Sequence, residues 1–300
     1  MSTLQPINTD MLKRLFTQSE SQANERLSAI VEVYGAHVYP KVRLADVFRI
    51  ERSGIRRELY SFALKAHFDF LITDDAPDPL FAVELDGESH RHSRQRQRDR
   101  LKNQLSDHFG LPLLRVTARH LQFRVRGVDL LAWFVHSWFA QRFLSEMQDG
   151  GQLPSDEPFF ASDLFLSPAL EGDFPLQLGL EARRRISQLS DRERWIDPAP
   201  SHIIGFDNDG NAHVFAWLRV AKQSWLSTQS AARAQHFPVM LSDLVCDLAA
   251  IDIADQLAEY LRGARRSRTD SDIDSEIARF SSRFRIGESF GFIRDSSSLR

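Results

Sequence analysis

Residues 67–86 have the sequence H-F-D-F-L-I-T-D-D-A-P-D-P-L-F-A-V-E-L-D, and this stretch decides the fold of the first half of the chain. Two strand-like runs, 67–73 and 80–86, flank a connector of Asp, Ala and Pro residues. Turn-forming residues between two such runs are typical of an antiparallel hairpin. We predict a hairpin in which Thr73 faces Leu80, so that the numbers of any two opposing residues sum to 153.

This register gives the hairpin two different faces. One face is wholly apolar, and we expect it to face the core; its residues are Phe68, Phe70, Ile72, Phe81, Val83 and Leu85. The other face carries Asp69 opposite Glu84, Leu71 opposite Ala82, and Asp86 at the end of the second strand. A register shift of one residue would move these carboxylates to the core face, because successive side chains of a strand point to opposite sides.

Helical and strand-like patterns precede the hairpin. Apolar residues recur at three- and four-residue steps between Asp10 and Tyr34, which predicts an amphipathic helix with Thr9 or Asp10 as its N-cap. The β-rich run 37–43 predicts a short strand, and its proline favours the edge of a sheet. The pattern of residues 44–62 is ambiguous, and we interpret them as mostly loop with one candidate short helix.

A helix and a strand follow the hairpin. Residues 93–109 have a helical pattern that ends at Gly110, and the apolar run 111–116 comes directly afterwards. A strand–helix–strand crossover joins parallel strands, so we expect 111–116 to pair in parallel with 80–86. With an apolar-faced helix over 128–147, residues 10–147 then form an α/β domain with the element order α-β-β-β-α-β.

The rest of the chain predicts a second, smaller α+β domain. Residues 148–158 are rich in Gly, Pro, Asp and Gln and are the best linker candidate. We predict the accessory domain over 159–262, with a hairpin of 203–206 and 213–220 around an Asp-Gly turn and a long helix over 241–261. Residues 263–300 mix Arg, Ser and Asp and are predicted to be a partly flexible tail.

Composition limits the class of protein. The chain has 300 residues, 42% of them hydrophobic and 26% charged, which is typical of a folded protein rather than a disordered or collagen-like one. The single cysteine, Cys246, excludes an intramolecular disulfide. No segment resembles a signal peptide or a membrane span, so we expect a soluble, cytoplasmic protein without a membrane partner. A net charge of −3 means that a nucleic-acid partner would need a local basic patch.

The carboxylates on one face of the hairpin require an explanation. Like charges opposite each other on adjacent strands destabilise a sheet, and Asp69 faces Glu84, with Asp86 two residues further on. A divalent cation explains this arrangement, because Mg²⁺ prefers carboxylate oxygens and activates a water for attack on a phosphodiester. The alternative is that all three carboxylates are solvated on an exposed sheet face.

Four segments, in order, resemble the PD-(D/E)xK, or restriction-endonuclease-like, nuclease superfamily. They are K-A-H-F-D-F-L-I at 65–72, F-A-V-E-L-D-G-E-S-H at 81–90, R-D-R-L-K-N at 98–103 and G-L-P-L-L-R-V at 110–116. More narrowly, they resemble an uncharacterised bacterial family of that superfamily with an upstream K-V-R-L-A-D-V element, here at 41–47. The resemblance extends from about Leu15 to Val116 and implies a restriction-endonuclease-like core.

The resemblance also implies a metal site. Asp69 and Glu84 match the two acidic residues of the superfamily motif. Both would bind Mg²⁺ or Mn²⁺, with the main-chain carbonyl of Leu85 as a further ligand. Glu20 matches a glutamate of the narrower family and would be an outer metal ligand; an ordinary glutamate on a helix surface is the alternative.

The chain departs from the superfamily motif at one position. Asp86 stands where the motif has a lysine that is thought to orient or deprotonate the attacking water. Lys102 on the following helix, or Lys65 before the first strand, would supply the missing positive charge from elsewhere. Otherwise a third acid implies a second metal ion or a weakened enzyme.

A basic run begins after the second strand of the hairpin. Residues 91–102 contain six basic residues and one acidic residue, a net charge of +5. Helical spacing would place several of them on one face, able to contact phosphates beside the carboxylates, and the predicted nucleic-acid contacts are His90, Arg91, Arg94, Arg98 and Lys102. The alternative is a solvated helix face with no ligand.

These patterns lead to one predicted function and one main alternative. We predict a metal-dependent nuclease that hydrolyses DNA phosphodiester bonds, with RNA as an alternative substrate, in a bacterial defence or DNA-repair system. The alternative is a nucleic-acid-binding or regulatory protein with a catalytically weakened nuclease fold. In either case the C-terminal domain would bind nucleic acid or a protein partner.

Overall fold

A computed structural model describes residues 16–86, 93–117, 120–121, 124–125, 128–156 and 178–290. The chain divides into two compact units, Met1–His136 and Ser137–Arg300. Both units combine helices with a β-sheet, so the protein has a mixed α/β fold, as the sequence predicts. None of the helices in the described ranges combines the length and apolarity needed to span a membrane.

The first unit is built around a four-stranded sheet. Its helices are α1 (Gln18–Val31), α2 (Leu44–Val47), α3 (Arg57–Ala63) and α4 (Ser93–Phe109). Its strands are β1 (His37–Pro40), β2 (Phe70–Thr73), β3 (Pro79–Asp86) and β4 (Leu113–Thr117), followed by the two-residue strands β5 (Arg124–Val125) and β6 (Val128–Asp129). The sheet order is β1-β2-β3-β4, with β3 and β4 parallel and the other neighbours antiparallel. The predicted crossover is therefore confirmed, whereas the segment interpreted as mostly loop contains both α2 and α3.

The predicted register of the central hairpin is also confirmed. The pairs of β2 and β3 whose numbers sum to 153 are Phe70 with Val83, Leu71 with Ala82 and Ile72 with Phe81. Beyond them the register shifts, and Thr73 lies opposite Pro79 instead of Leu80. Strand β1, which contains Pro40, lies at the edge of the sheet as its proline predicts. An edge position tolerates the missing N–H of a proline.

Both faces of the hairpin are buried, so the face that carries the carboxylates is not an exposed sheet face. Phe70 and Val83, on the predicted core face, are fully buried. On the opposite face, Ala82 packs in one cluster with Leu101 and Leu105 of α4. The crossover helix must cover one face of the sheet, and it covers the face that carries the carboxylates.

The opening helix begins later than the start of its periodic pattern. Thr17 is the N-cap of α1, and its hydroxyl accepts a hydrogen bond from the Glu20 N–H while the Glu20 carboxylate accepts one from the Thr17 N–H. This reciprocal capping box satisfies two donors that a helix start leaves free. Thr9 and Asp10, the predicted caps, lie outside the described residues.

The second unit has its own antiparallel sheet. Its elements are α6 (Leu180–Ser190), β7 (Ser201–Phe206), β8 (Ala212–Ala221), β9 (Ser224–Ala232), α7 (Leu241–Leu261), α8 (Asp270–Arg283) and β10 (Arg285–Phe290). The strand order is β10-β7-β8-β9, and the predicted β7–β8 hairpin and the limits of α7 are confirmed. Residues 270–290 form a helix and an edge strand, and Ile273 and Phe280 of α8 are buried. Residues 291–300 of the predicted partly flexible tail lie outside the described residues.

The boundary between the units falls inside a helix. Helix α5 spans Leu130–Asp149, and the division lies between His136 and Ser137. The sequence predicts a linker at 148–158, of which residues 148–156 are described. Residues 131–140 are all buried. This part of the helix therefore has no exposed polar segment, which is the sequence signal by which a domain boundary is usually recognised.

Candidate active site

Asp69 precedes β2 and joins three parts of the first unit. Its Oδ2 accepts a hydrogen bond from the Leu85 N–H of β3 at 3.0 Å, and its Oδ1 accepts one from Lys41 Nζ at 2.7 Å. Lys41 also forms an ion pair with Glu20, the capping-box residue of α1. The carboxylate of Asp69 and that of Glu20 therefore share one ammonium group, while Leu85 contributes its N–H to the site.

Glu84 and Lys102 form a buried ion pair under α4. Lys102 Nζ donates to Glu84 Oε1 at 2.6 Å and to Oε2 at 2.5 Å, and the two residues are only 5% and 7% exposed. Burial raises the pKa of Glu84, and the neighbouring Asp69 charge adds to the rise, while the Lys102 ammonium opposes it. The pair places a titratable carboxylate and its counter-ion in a largely dry environment.

Asp86 has a different partner. The parallel pairing of β3 and β4 puts Arg115 beside Glu84 on the face covered by α4. The Arg115 guanidinium lies 3.3 Å from Asp86 and 3.3 Å from Asp99, and it donates to Asn103 Oδ1 at 2.9 Å. This planar group links two strands to two residues of α4, and it neutralises Asp86.

These residues together form what we call the charge cluster: Glu20, Lys41, Asp69, Glu84, Asp86, Asp99, Lys102 and Arg115. Five carboxylates meet three cations, so the cluster has a formal charge of −2 when all its groups are ionised. Glu84 and Asp86 are buried, so the alternative of three carboxylates solvated on an exposed face is wrong for both. Within the described ranges, no three His, Cys, Asp or Glu side chains are grouped closely enough to hold a metal ion.

The remaining predicted residues are distributed differently. Lys65 is exposed just after α3 and has no ion pair with the described carboxylates, so it is not brought into the charge cluster. Arg98 is exposed on α4, one turn before Lys102, whereas Lys102 is buried against Glu84 and does not extend a solvent-facing row. Arg94 lies in α4, and its side chain, like His90 and Arg91, is outside the described residues.

Sequence reasoning missed two members of the charge cluster, Lys41 and Arg115, and the nearby His120. Lys41 opens the K-V-R-L-A-D-V element, but its contact with Asp69 depends on a long-range pairing of β1 with β2. Arg115 was detectable, because a basic residue inside the apolar run 111–116 needs a buried counter-ion. His120 accepts a hydrogen bond from the Thr117 N–H through Nδ1, and burial lowers the pKa of His120 while the charge of Asp86 opposes that change.

The fold and the site define a mixed α/β unit whose sheet carries a partly buried cluster of carboxylates and basic side chains. A model of the family described as "Protein of unknown function (DUF2726)" matches residues 12–126, a range that contains every residue of the charge cluster. No curated protein and no solved structure matches the chain.

Proposed function

We propose that this protein is a metal-dependent nuclease that hydrolyses phosphodiester bonds of DNA. The observation that carries the proposal is the position of two acids at one end of the hairpin. Asp69, just before β2, accepts a hydrogen bond from the Leu85 N–H, and Glu84, the residue before Leu85, pairs with the ammonium of Lys102. The order of α1, β1, β2, β3, α4 and β4, with α2 and α3 inserted between β1 and β2, supports a restriction-endonuclease-like core. In such a core this end of the hairpin is where the superfamily has its catalytic acids.

The energetics of the cluster favour a function over a purely structural role. Burying an ion pair costs desolvation energy that the attraction between the charges seldom exceeds, so a well-packed apolar pair is often as stable or more stable. The charge cluster contains two such pairs, Glu84 with Lys102 and Asp86 with Arg115, each less than 10% exposed. Departures of this kind from an apolar core are typical of functional sites.

The donor groups suit a hard divalent cation. Asp69, Glu84 and the carbonyl of Leu85 would hold Mg²⁺ or Mn²⁺, with Glu20 further out, because oxygen ligands and negative charge are what these ions select. A bound ion would supply positive charge beside the phosphodiester and an acidified water as nucleophile. The formal charge of −2 on the cluster equals the charge of one divalent cation in magnitude.

The chain's own cations account for the departure at Asp86. Lys102 already contacts Glu84 and would supply from α4 the positive charge that the motif lysine supplies from the strand. Arg115 neutralises Asp86, which therefore acts as a counter-ion, and a second metal ion is not needed to explain the third acid. Arg98, exposed near the start of α4, would contact the DNA backbone.

The test is a cleavage assay on plasmid and single-stranded DNA with Mg²⁺, Mn²⁺ or EDTA. We expect the wild type to cleave only with a metal, and Asp69→Asn and Glu84→Gln to abolish cleavage. Asp78→Asn and Glu51→Gln remove exposed acids outside the charge cluster and should cleave like the wild type. Circular dichroism at the assay temperature verifies that each variant is folded. Wild-type protein without metal-dependent cleavage would contradict the proposal.

A second candidate function is nucleic-acid binding or regulation without efficient cleavage. The observation that favours it is that Lys41 and Lys102 already neutralise the two acids that would bind the metal. Thermal melts distinguish the two functions, because a ligand that binds only the folded state stabilises it by mass action. Under the nuclease proposal Mg²⁺ or Mn²⁺ raises the melting temperature of the wild type more than that of Asp69→Asn. Under the second function both shifts are absent and DNA is bound intact.

A further inference from the structure

The second unit carries a basic surface at the end of its sheet where β8 turns into β9. We propose that this surface binds single-stranded nucleic acid. We call it the turn surface and define it by Arg194, Trp195, Lys222, Arg262, Arg266 and Arg268. The proposal goes beyond the nuclease function and does not depend on cleavage.

Backbone hydrogen bonds align four neighbouring chain segments at the turn surface. The Asp197 N–H donates to the Arg219 carbonyl of β8 at 3.1 Å, and Arg219 pairs with Trp225 of β9. Trp225 and Arg268 then exchange hydrogen bonds in both directions, at 3.0 and 2.7 Å. Paired segments are about 4.8 Å apart, so the segment containing Asp197 and the one containing Arg268 are separated by about 14 Å. Lys222 lies in the turn between them.

The segment that follows α7 is strongly basic. Residues 262–268, R-G-A-R-R-S-R, have a formal charge of +4 without a single acid, in a chain of net charge −3. Arg262 and Arg266 are exposed and make no ion pair with any described side chain. Arg265 does pair with Glu259, but both are well exposed, and such pairs contribute little and can be exchanged for a phosphate.

A structural explanation covers only part of this charge. Basic side chains near a helix C-terminus are stabilised by the helix dipole, which would account for Arg262 directly after α7. The effect fades within one turn, so it does not explain Arg266 or Lys222. Arg268 does have a counter-ion, Glu276, at 3.4 Å, but this pair is on the surface, and such pairs contribute little. The common position of these basic residues at one end of the sheet is what a phosphate backbone would contact.

Trp195 makes the surface suited to an unpaired strand. Its side chain is 46% exposed, and the Arg194 guanidinium lies 5.6 Å from the ring centroid. An exposed aromatic ring beside cations is the combination that single-stranded nucleic-acid sites use, because a free base stacks on the ring while the cations bind phosphates. The bases of a duplex are already stacked on each other, so a duplex would use only the cations.

The experiment measures binding of the full chain to a fluorescein-labelled oligothymidylate by anisotropy, in EDTA, over a salt series. We expect Trp195→Ala to weaken binding by about tenfold and Trp195→Phe to retain it, since a phenyl ring still stacks. Arg266→Glu should weaken binding and lower the salt slope by about one. Arg285→Glu is the matched control, because it makes the same charge change on β10 at the opposite end of the sheet.

Several outcomes would overturn the proposal. Equal affinities of Trp195→Ala and Trp195→Phe, or of Arg266→Glu and Arg285→Glu, would show that the turn surface is not the site. Binding of the wild type to anionic vesicles but not to the oligonucleotide would assign the surface to a membrane. The measurement is made in EDTA and reports binding without metal-dependent cleavage, so this proposal and the nuclease proposal fail independently.

Discussion

Glu84 and Lys102 depend on each other inside the first unit. Removing one partner of a buried ion pair leaves the other charge without compensation, which typically costs about 3–5 kcal/mol. We therefore expect Glu84→Gln and Lys102→Met each to lower the free energy of unfolding by about 3 kcal/mol, measured by urea denaturation at neutral pH. If only the repulsion between Glu84 and Asp69 mattered, Glu84→Gln would raise the free energy of unfolding. The ion pair of Glu84 with Lys102 reverses the expected sign of this change.

The double variant Glu84→Gln/Lys102→Met tests the coupling directly. It should lower the free energy of unfolding by clearly less than the sum of the two single changes, because neither charge is then buried without a counter-ion. Lys65→Met is the matched control, since Lys65 is exposed and outside the charge cluster. Strictly additive costs would contradict a coupled pair.

At the scale of secondary structure elements, α4 carries the predicted contact with DNA. The variant Arg94→Glu/Arg98→Glu should weaken DNA binding for all sequences alike and lower the salt slope by about two, because phosphate contacts carry no sequence information. The variant Arg96→Glu/Arg100→Glu makes the same charge change on another side of the same helix and serves as control. Similar salt series for the two variants would show that the basic run is a solvated face.

The pairing of β7 with β10 links pH to stability. His202 of β7 stacks on Phe290 of β10, and burial lowers its pKa from 6.5 to about 4, with the Arg183 charge adding to the decrease. Between these values the unfolded chain binds a proton that the folded chain does not, so the free energy of unfolding falls as the pH drops from 6.5 towards 4. The total decrease in the free energy of unfolding over this pH range is about 3 kcal/mol. His202→Gln should remove this slope in urea denaturation, whereas exposed His236→Gln should keep it.

The elements that could be predicted from sequence are those whose pattern is local. The register of β2 with β3 follows from alternation and a turn, and α7 follows from a long apolar periodicity. The helix α8 was missed because its surface is rich in Asp and Ser, although Thr269 and Asp272 form a capping box that marks its start. The acids of the site could be predicted in the same way, but Lys41 and Arg115 could not be assigned to them without the long-range pairing of the strands.

At the scale of the whole molecule, α5 belongs to both compact units. The division lies between His136 and Ser137, so the helix begins in the unit with the charge cluster and ends in the unit with the turn surface. The division therefore falls within regular secondary structure rather than in the Gly- and Pro-containing stretch that begins at residue 148.

The second unit begins within α5. Trp138 is 8% exposed and stacks on Phe237 with ring centroids 6.4 Å apart, so the second half of α5 supplies core side chains to this unit. Loss of a buried Trp costs about 3–5 kcal/mol, which corresponds to about 10 °C in melting temperature for a domain of this size. We expect a fragment of residues 150–300 to melt about 10 °C below a fragment of residues 128–300, and Trp138→Ala in the longer fragment to account for much of the difference. Equal melting temperatures would instead support the boundary that the sequence predicts at 148–158.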